Sequence, residues 1–205
     1  MIRNLIIDLC GPLLTIDTNK INAHFNRLGV TEDDIYRKLY YNGRVKEFDM
    51  GLISTDEFCQ DVRLTLNCTL DNNAILAAWN DLIVDFDTRN VEALKTLHKH
   101  YRLLLLSNSD IENENTFRNY INRKSGFNLF EELFTDVCFS NMTGMRKPDP
   151  GIFKYLVEKN RLDFAETLVI DDCRQHCESA KSTGMNAFLC QGPLWQNIDS
   201  ISKVL

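Results

Sequence analysis

Four short apolar runs constrain the fold of this chain more than any other feature: Leu5-Ile6-Ile7, Leu103 to Leu106, Thr167-Leu168-Val169-Ile170 and Ala187-Phe188-Leu189. Each is continuous rather than alternating, so both faces of the strand must be covered, as in a parallel sheet enclosed by helices. Val137-Cys138-Phe139 is a weaker fifth run. Between the runs lie helical stripes: Val91, Leu94 and Leu97; then Phe117, Tyr120 and Ile121; then Ile152, Phe153, Leu156 and Val157. This alternation predicts βαβ units and an α/β fold with a Rossmann-like parallel sheet core. Asp149 before Pro150 reads as a helix start, Asp163 with Glu166 has capping-box spacing, and Gly184 reads as a helix stop.

The stretch from about Thr18 to Ile83 breaks the pattern. It has no convincing strand, and its apolar residues recur at helical spacing, as in Ile21, Phe25, Leu28 and again in Phe58, Val62, Leu66. Capping-box spacing at Thr31 with Asp34 and at Ser54 with Glu57 marks two helix starts. With 205 residues, the chain has room for one core domain and a smaller insert, at roughly 100 to 200 residues per domain. The expected division is a core of residues 1–16 and 86–205, with an all-helical segment, 17–85, inserted after the first strand.

Acidic residues outnumber basic ones, 29 to 23, and the basic residues are scattered, which argues against a nucleic-acid partner. The start of the chain lacks the features of a secretory signal, and its longest aliphatic run is far too short to cross a bilayer, so a cytoplasmic protein with no membrane partner is expected. Seven cysteines without regular spacing are expected to be reduced thiols. Cys173 and Cys177 share a helical face, but no second Cys or His pair at structural-zinc spacing accompanies them, so packing is favoured over metal or redox use.

In an open parallel sheet, ligands sit beyond the carboxyl ends of the strands. Those ends deliver Asp8, Ser107-Asn108 and Asp171-Asp172, and Lys147-Pro148 precedes the helix between the last two. A lone Asp at a strand end is often a cap, and a lone Lys before Pro is usually a surface residue. Capping, however, gives no reason for such residues to recur at successive strand ends. Three converging carboxylates repel and take up protons unless a cation lies between them. Oxygen-only donors suit Mg2+ better than zinc. Lys147 and the Ser107 hydroxyl can hold anionic phosphoryl oxygens, and a carboxylate can serve as nucleophile, so the set points to phosphoryl transfer.

These residues also carry a family pattern. Asp8 with Gly11, Leu105-Leu106-Ser107-Asn108, Arg146-Lys147-Pro148-Asp149-Pro150 with Ile152-Phe153, and Val169-Ile170-Asp171-Asp172 resemble, in order, the four motifs of the haloacid dehalogenase (HAD) superfamily of hydrolases. The helical insert, with Met50-Gly51-Leu52-Ile53-Ser54 before a helix, is similar to the small C1-type cap of that superfamily. Within it the chain looks closest to the sugar-phosphate phosphatase branch that includes glucose-1-phosphatase-like proteins. The resemblance implies a Mg2+-dependent phosphatase acting on a small phosphorylated metabolite such as a sugar phosphate. Asp8 would attack phosphorus and bind metal. Asp172 and the backbone carbonyl of Cys10 would be further ligands, with Asp171 acting through water or completing the shell. Ser107, Lys147 and Asn108, through its backbone or amide, would bind phosphate, and Lys147 would also restrain Asp8.

One departure stands out. Most phosphatases of the superfamily carry a second Asp two residues after the nucleophile, where this chain has Cys10. General acid-base help is typically worth about 10²- to 10⁴-fold in rate, and a thiol near its reference pKa of about 8.5 is a poor base once it has donated its proton. Two alternatives follow: a metal-independent dehalogenase-type hydrolase, against which the pair Asp171-Asp172 argues, and a catalytically weak module that binds a phosphorylated ligand. Arg44 and Lys46, in the turn region after Asn42-Gly43, are read as solvated surface residues.

Overall fold

Strands with no polar face must be covered on both sides, and that requirement organises the molecule. The computed structural model describes residues 1–205. The strands are β1 (Asn4–Ile7), β2 (Leu14–Ile16), β3 (Ile83–Phe86), β4 (Arg102–Ser107), β5 (Asp136–Phe139), β6 (Thr167–Asp171) and β7 (Asn186–Leu189). Five of them form a parallel sheet in the order β5-β4-β1-β6-β7. On one face Leu5, Ile7, Leu103, Leu105, Leu168 and Ile170 join a large apolar cluster. On the other, Ile6, Leu104, Leu106 and Val169 pack with Ile152, Phe153, Leu156 and Val157. The expected α/β core with a Rossmann-like parallel sheet is the one observed, weak fifth strand included.

Between β2 and β3 lie five helices, α1 (Asn19–Arg27), α2 (Ile35–Asn42), α3 (Val45–Asp49), α4 (Thr55–Leu66) and α5 (Asn72–Trp79). The rest of the chain adds α6 (Arg89–His98), α7 (Ile111–Ser125), α8 (Leu129–Leu133), α9 (Pro150–Asn160), α10 (Arg174–Ser182) and α11 (Leu194–Ser202). Ser54 and Glu57 form the reciprocal capping box of α4, and Asp149 caps α9 with Pro150 in its first turn. Within the insert, the rings of Phe48 and Phe58 stack at 4.2 Å and Trp79 packs on Phe58 at 4.9 Å.

Three local expectations are corrected. The insert is bracketed by a two-stranded antiparallel pair, β2 with β3, which is too short and too irregular in burial to register as a strand pattern. Helix α2 begins at Ile35 and is capped by Asp34, whose carboxylate accepts from the Arg37 N–H at 3.0 Å, rather than by Thr31. Asp163 opens no helix: it accepts from the Ala165 N–H at 2.8 Å, and its carbonyl accepts from Thr167 Oγ1 at 2.7 Å, in a turn that leads into β6.

The chain runs from β1 to β4 and β5 on one side of the sheet and then returns to β6 and β7 on the other, so the topological switch lies beside β1. Registry of Ile7 with Leu105 and with Ile170 brings the carboxyl ends of three strands together there. The insert is tied above that edge. Ser140 Oγ, in the short 3-10 turn after β5, donates to the Asp49 carbonyl at 2.5 Å. A Cβ on Gly51 would lie 2.2 Å from the Asn141 carbonyl oxygen, so only glycine allows this approach.

Candidate active site

Asp8 follows directly on β1, where its N–H donates to the Ile170 carbonyl at 2.9 Å and fixes the backbone beside β6. Its carboxylate is buried and accepts from the Leu9 N–H at 2.7 Å. Lys147 is almost fully buried, with Nζ 2.9 Å from Asp8 Oδ1 and 2.6 Å from Asp171 Oδ2. A buried ammonium persists only where carboxylates surround it, and here it bridges two. Burial works against the charge on Lys147, but Asp8 and Asp171 outweigh it and lift its pKa above the ordinary lysine value.

The carboxylates respond differently. Burial, then the nearby charges of Asp171 and Asp172, push Asp8 up to about 7 against the pull of Lys147. Burial also acts to raise Asp171, but Lys147 and His176 overcome it and hold that carboxyl well below the usual range. Burial, followed by the charge of Asp171, raises Asp172. Asp8 and Asp172 therefore form a site short of positive charge.

Asp8, Cys10, Ser107, Asn108, Lys147 and Asp172 line one cavity of about 550 Å³, with Gly11, Thr15, Ile16, His176, Gly192 and Pro193 completing its wall. The Ser107 hydroxyl is buried in that wall without a hydrogen-bond partner, a donor held ready for an anionic oxygen. Gly11, at φ +98°, lets the loop pass Asp172: a Cβ there would lie 2.2 Å from Asp172 Oδ2. Burial, and then the charge of Asp8, push the Cys10 thiol well above its ordinary pKa.

Two residues of the expected set are held by protein partners. Asp171 lies beneath the cavity rather than on its wall. Its oxygens are taken by Lys147, by the Cys173 N–H at 2.8 Å and by His176 Nδ1 at 2.9 and 3.1 Å. With an ammonium already at 2.6 Å, Asp171 anchors Lys147. The Asn108 amide is likewise committed, accepting from the Lys147 N–H at 2.8 Å and donating to the Lys147 carbonyl at 2.9 Å. It clamps the loop that delivers the lysine.

Sequence reading missed His176, which lies on α10 one turn past the acidic pair. The i, i+5 spacing from Asp171 across a strand-to-helix junction carries no familiar signal. Arg44 pairs with Glu47, and Lys46 lies 4.9 Å from the Tyr40 ring centroid, so neither lines the cavity. Cys177 is buried, its thiol 3.6 Å from the Asp171 carbonyl.

A second cavity, of about 290 Å³, adjoins the first and shares Cys10, Asn108, Ile16 and His176 with it. The insert contributes Tyr36, Tyr40, Asp49 and Trp79 to its wall. Asp49 meets Arg146 at 3.1 Å, and Arg146 also donates to the Tyr40 hydroxyl at 3.2 Å. Arg146 Nε and Asn113 Oδ1, both in residues of this wall, are buried without partners.

The α/β core brings an acidic cluster and a buried lysine together at its topological switch point. The match to family models gives the class: residues 2–184 match the haloacid dehalogenase-like hydrolase model, and the chain belongs to that family. It is 27% identical over 193 residues to a D-ribitol-5-phosphate phosphatase of Bacteroides thetaiotaomicron, covering 92% of this chain and 91% of that one. A HAD family enzyme of the same organism, solved in complex with magnesium and inorganic phosphate, superposes with a TM-score of 0.84 at 30% identity, covering 94% of this chain and 96% of that one. A HAD-like family hydrolase from Porphyromonas gingivalis is similar in fold alone, with a TM-score of 0.82 at 24% identity over 100% of this chain and 98% of its own. No helix is long and apolar enough to cross a membrane.

Proposed function

We propose that this protein is a Mg2+-dependent phosphatase of a small phosphorylated sugar or polyol, working through an aspartyl-phosphate on Asp8. The observation that carries the reading is the Lys147 bridge between Asp8 and Asp171 beside the unpartnered Ser107 hydroxyl, all at the floor or wall of one cavity. The relatives support it: one is a D-ribitol-5-phosphate phosphatase, and another was solved with magnesium and phosphate.

The donor set fits Mg2+. Asp8, Asp172 and the Cys10 carbonyl are hard oxygen donors, and Asp8, raised to about 7 by burial and its acidic neighbours, lacks the positive charge such an ion supplies. When bound there, Mg2+ offsets the charge on the phosphoryl oxygens. The remaining work falls to the side chains. Lys147 keeps Asp8 in one orientation and offers its ammonium to a phosphoryl oxygen, and Ser107 donates to another. Asp8 then attacks phosphorus, the bond to the leaving alcohol breaks, and water later cleaves the acyl phosphate and regenerates the carboxylate.

The insert acts as a cap in this reading. Its aromatic and polar residues, with Arg146, line the adjoining cavity where the leaving group would lie, and closure over it keeps bulk water from the acyl phosphate. The test is phosphate release from a panel of sugar and polyol phosphates, including ribitol 5-phosphate, with and without Mg2+. Turnover that needs the metal and vanishes in Asp8→Asn supports the proposal, and equal turnover by that variant refutes it.

A further inference from the structure

A departing alkoxide needs a proton, and the water that follows must lose one, so some side chain at this site has to carry a proton both ways. Most groups near the scissile bond are already engaged. Asp8 is the nucleophile, Lys147 is held between two carboxylates, and Asp172 faces the metal position. Ser107 and Asn108 do not exchange protons in the working range, and the Cys10 thiol is pushed away from easy ionisation.

His176 is not committed in this way. It lines both the phosphate cavity and the adjoining leaving-group cavity, and Cys10 and Asn108 are on the same shared wall. Only one ring nitrogen is engaged: Nδ1 lies 2.9 and 3.1 Å from the two Asp171 oxygens, while Nε2 has no hydrogen-bond partner in the protein. Asp171 is paired with Lys147 and accepts the Cys173 N–H, so it is an ionised acceptor and the proton between it and the ring belongs to Nδ1. Nε2 is thereby left as the exchanging atom, the arrangement in which a buried carboxylate orients a catalytic imidazole. One oxygen of Asp8, one of Asp171 and a ring nitrogen of His176 all lie within 4.8 Å of one another, which places the imidazole beside the reacting centre.

From this geometry we infer that His176 is the acid-base group of the reaction, oriented by Asp171 and standing where the Cys10 side chain cannot serve. In the first step, which starts from the ring protonated on both nitrogens, Asp8 bonds to phosphorus, the bond from phosphorus to the leaving oxygen breaks, and the Nε2 proton passes to that oxygen to give the alcohol. In the second step water bonds to phosphorus, its proton passes to Nε2, and the bond to Asp8 breaks, restoring both groups. Asp171 then has two roles, as anchor of Lys147 and as orienter of His176. The inference rests on the phosphatase reading above.

Leaving-group dependence separates chemistry from structure. Ribitol 5-phosphate leaves as an alkoxide that needs the proton, whereas 4-nitrophenyl phosphate leaves as a stable phenolate that does not. In His176→Asn, turnover of the alkyl phosphate is expected to fall by about 10²- to 10⁴-fold. The first turnover of the nitrophenyl ester, read by stopped flow, is expected to stay within several-fold of wild type, followed by a slow steady state that exposes a burst. Cys10→Asp added to His176→Asn, which places a carboxylate on the shared wall, is expected to recover part of the alkyl-phosphate rate. Equal slowing of both first turnovers would overturn the inference in favour of a structural role. Loss of Mg2+ affinity in His176→Asn, measured by titration, would overturn it in favour of metal ligation, and an unchanged alkyl-phosphate rate would overturn it outright. Wild type that releases phosphate from neither ester would refute the phosphatase reading and this inference with it, whereas active wild type with an indifferent variant refutes the inference alone.

Discussion

Replacing Lys147 with Met keeps most of the side-chain volume but removes the ammonium that lies 2.9 Å from Asp8 and 2.6 Å from Asp171. Both carboxylates are buried, Asp171 completely. Removing one member of a buried ion pair typically costs about 3–5 kcal/mol, because the charge left behind is unpaired. The cost depends on pH. Without the lysine, Asp8, already raised to about 7, rises further and Asp171 loses the main charge that holds it low, so the folded state holds their protons more tightly. Stability of the variant is then greatest below the unfolded carboxylate value of about 3.9 and falls as pH rises toward the raised values. Urea unfolding of wild type and variant in EDTA, at pH 5 and pH 8, measures the difference; the penalty should be larger at pH 8. Asp171→Asn added to Lys147→Met should recover part of it, since an amide needs no counter-charge. A penalty under about 1 kcal/mol, or one independent of pH, would refute the claim that this lysine compensates two buried charges.

Other consequences are more local. Gly11→Ala should cost on the order of 1–3 kcal/mol for its backbone conformation alone and should weaken Mg2+ binding, because the new Cβ would displace Asp172; a Mg2+ titration followed by thermal shift checks both. Asp49 is pushed up to about 7 by burial and by Asp110, against Arg146, so it favours the fold at acid pH and loses that contribution as pH rises from about 4 to 7. Asp49→Asn should accordingly flatten the pH dependence of the melting temperature in that window, with the share of Asp8 remaining. Trp79→Phe removes the indole N–H that Asp110 accepts at 2.9 Å, at the junction of the insert and α7, and should cost about 1–3 kcal/mol by urea unfolding.

The sheet was legible because strands covered on both faces leave an unmistakable continuous run, as in Leu103 to Leu106. The site was legible to the extent that its residues stand at strand ends, where topology alone brings Asp8, Ser107, Lys147 and Asp172 together. What stayed hidden depends on three-dimensional competition for hydrogen bonds. Nothing in Asp171-Asp172 says which carboxylate turns inward to meet a lysine, or that the Asn108 amide spends both ends on the Lys147 main chain. His176 was hidden for the same reason, since its importance comes from Asp171 beneath it and from two cavities meeting at its ring. The β2–β3 pair escaped because strands of three and four residues, buried mainly at Leu14 and Phe86, leave too little pattern to read.

The most direct measurement of the central claim is to acid-quench the enzyme during turnover of a phosphorylated polyol with Mg2+ and map the phosphoryl group by mass spectrometry. The account predicts a single hydroxylamine-labile phosphoryl group on the peptide that contains Asp8, absent in Asp8→Asn. Sustained turnover with no covalent phosphate, or with phosphate on another residue, would contradict it.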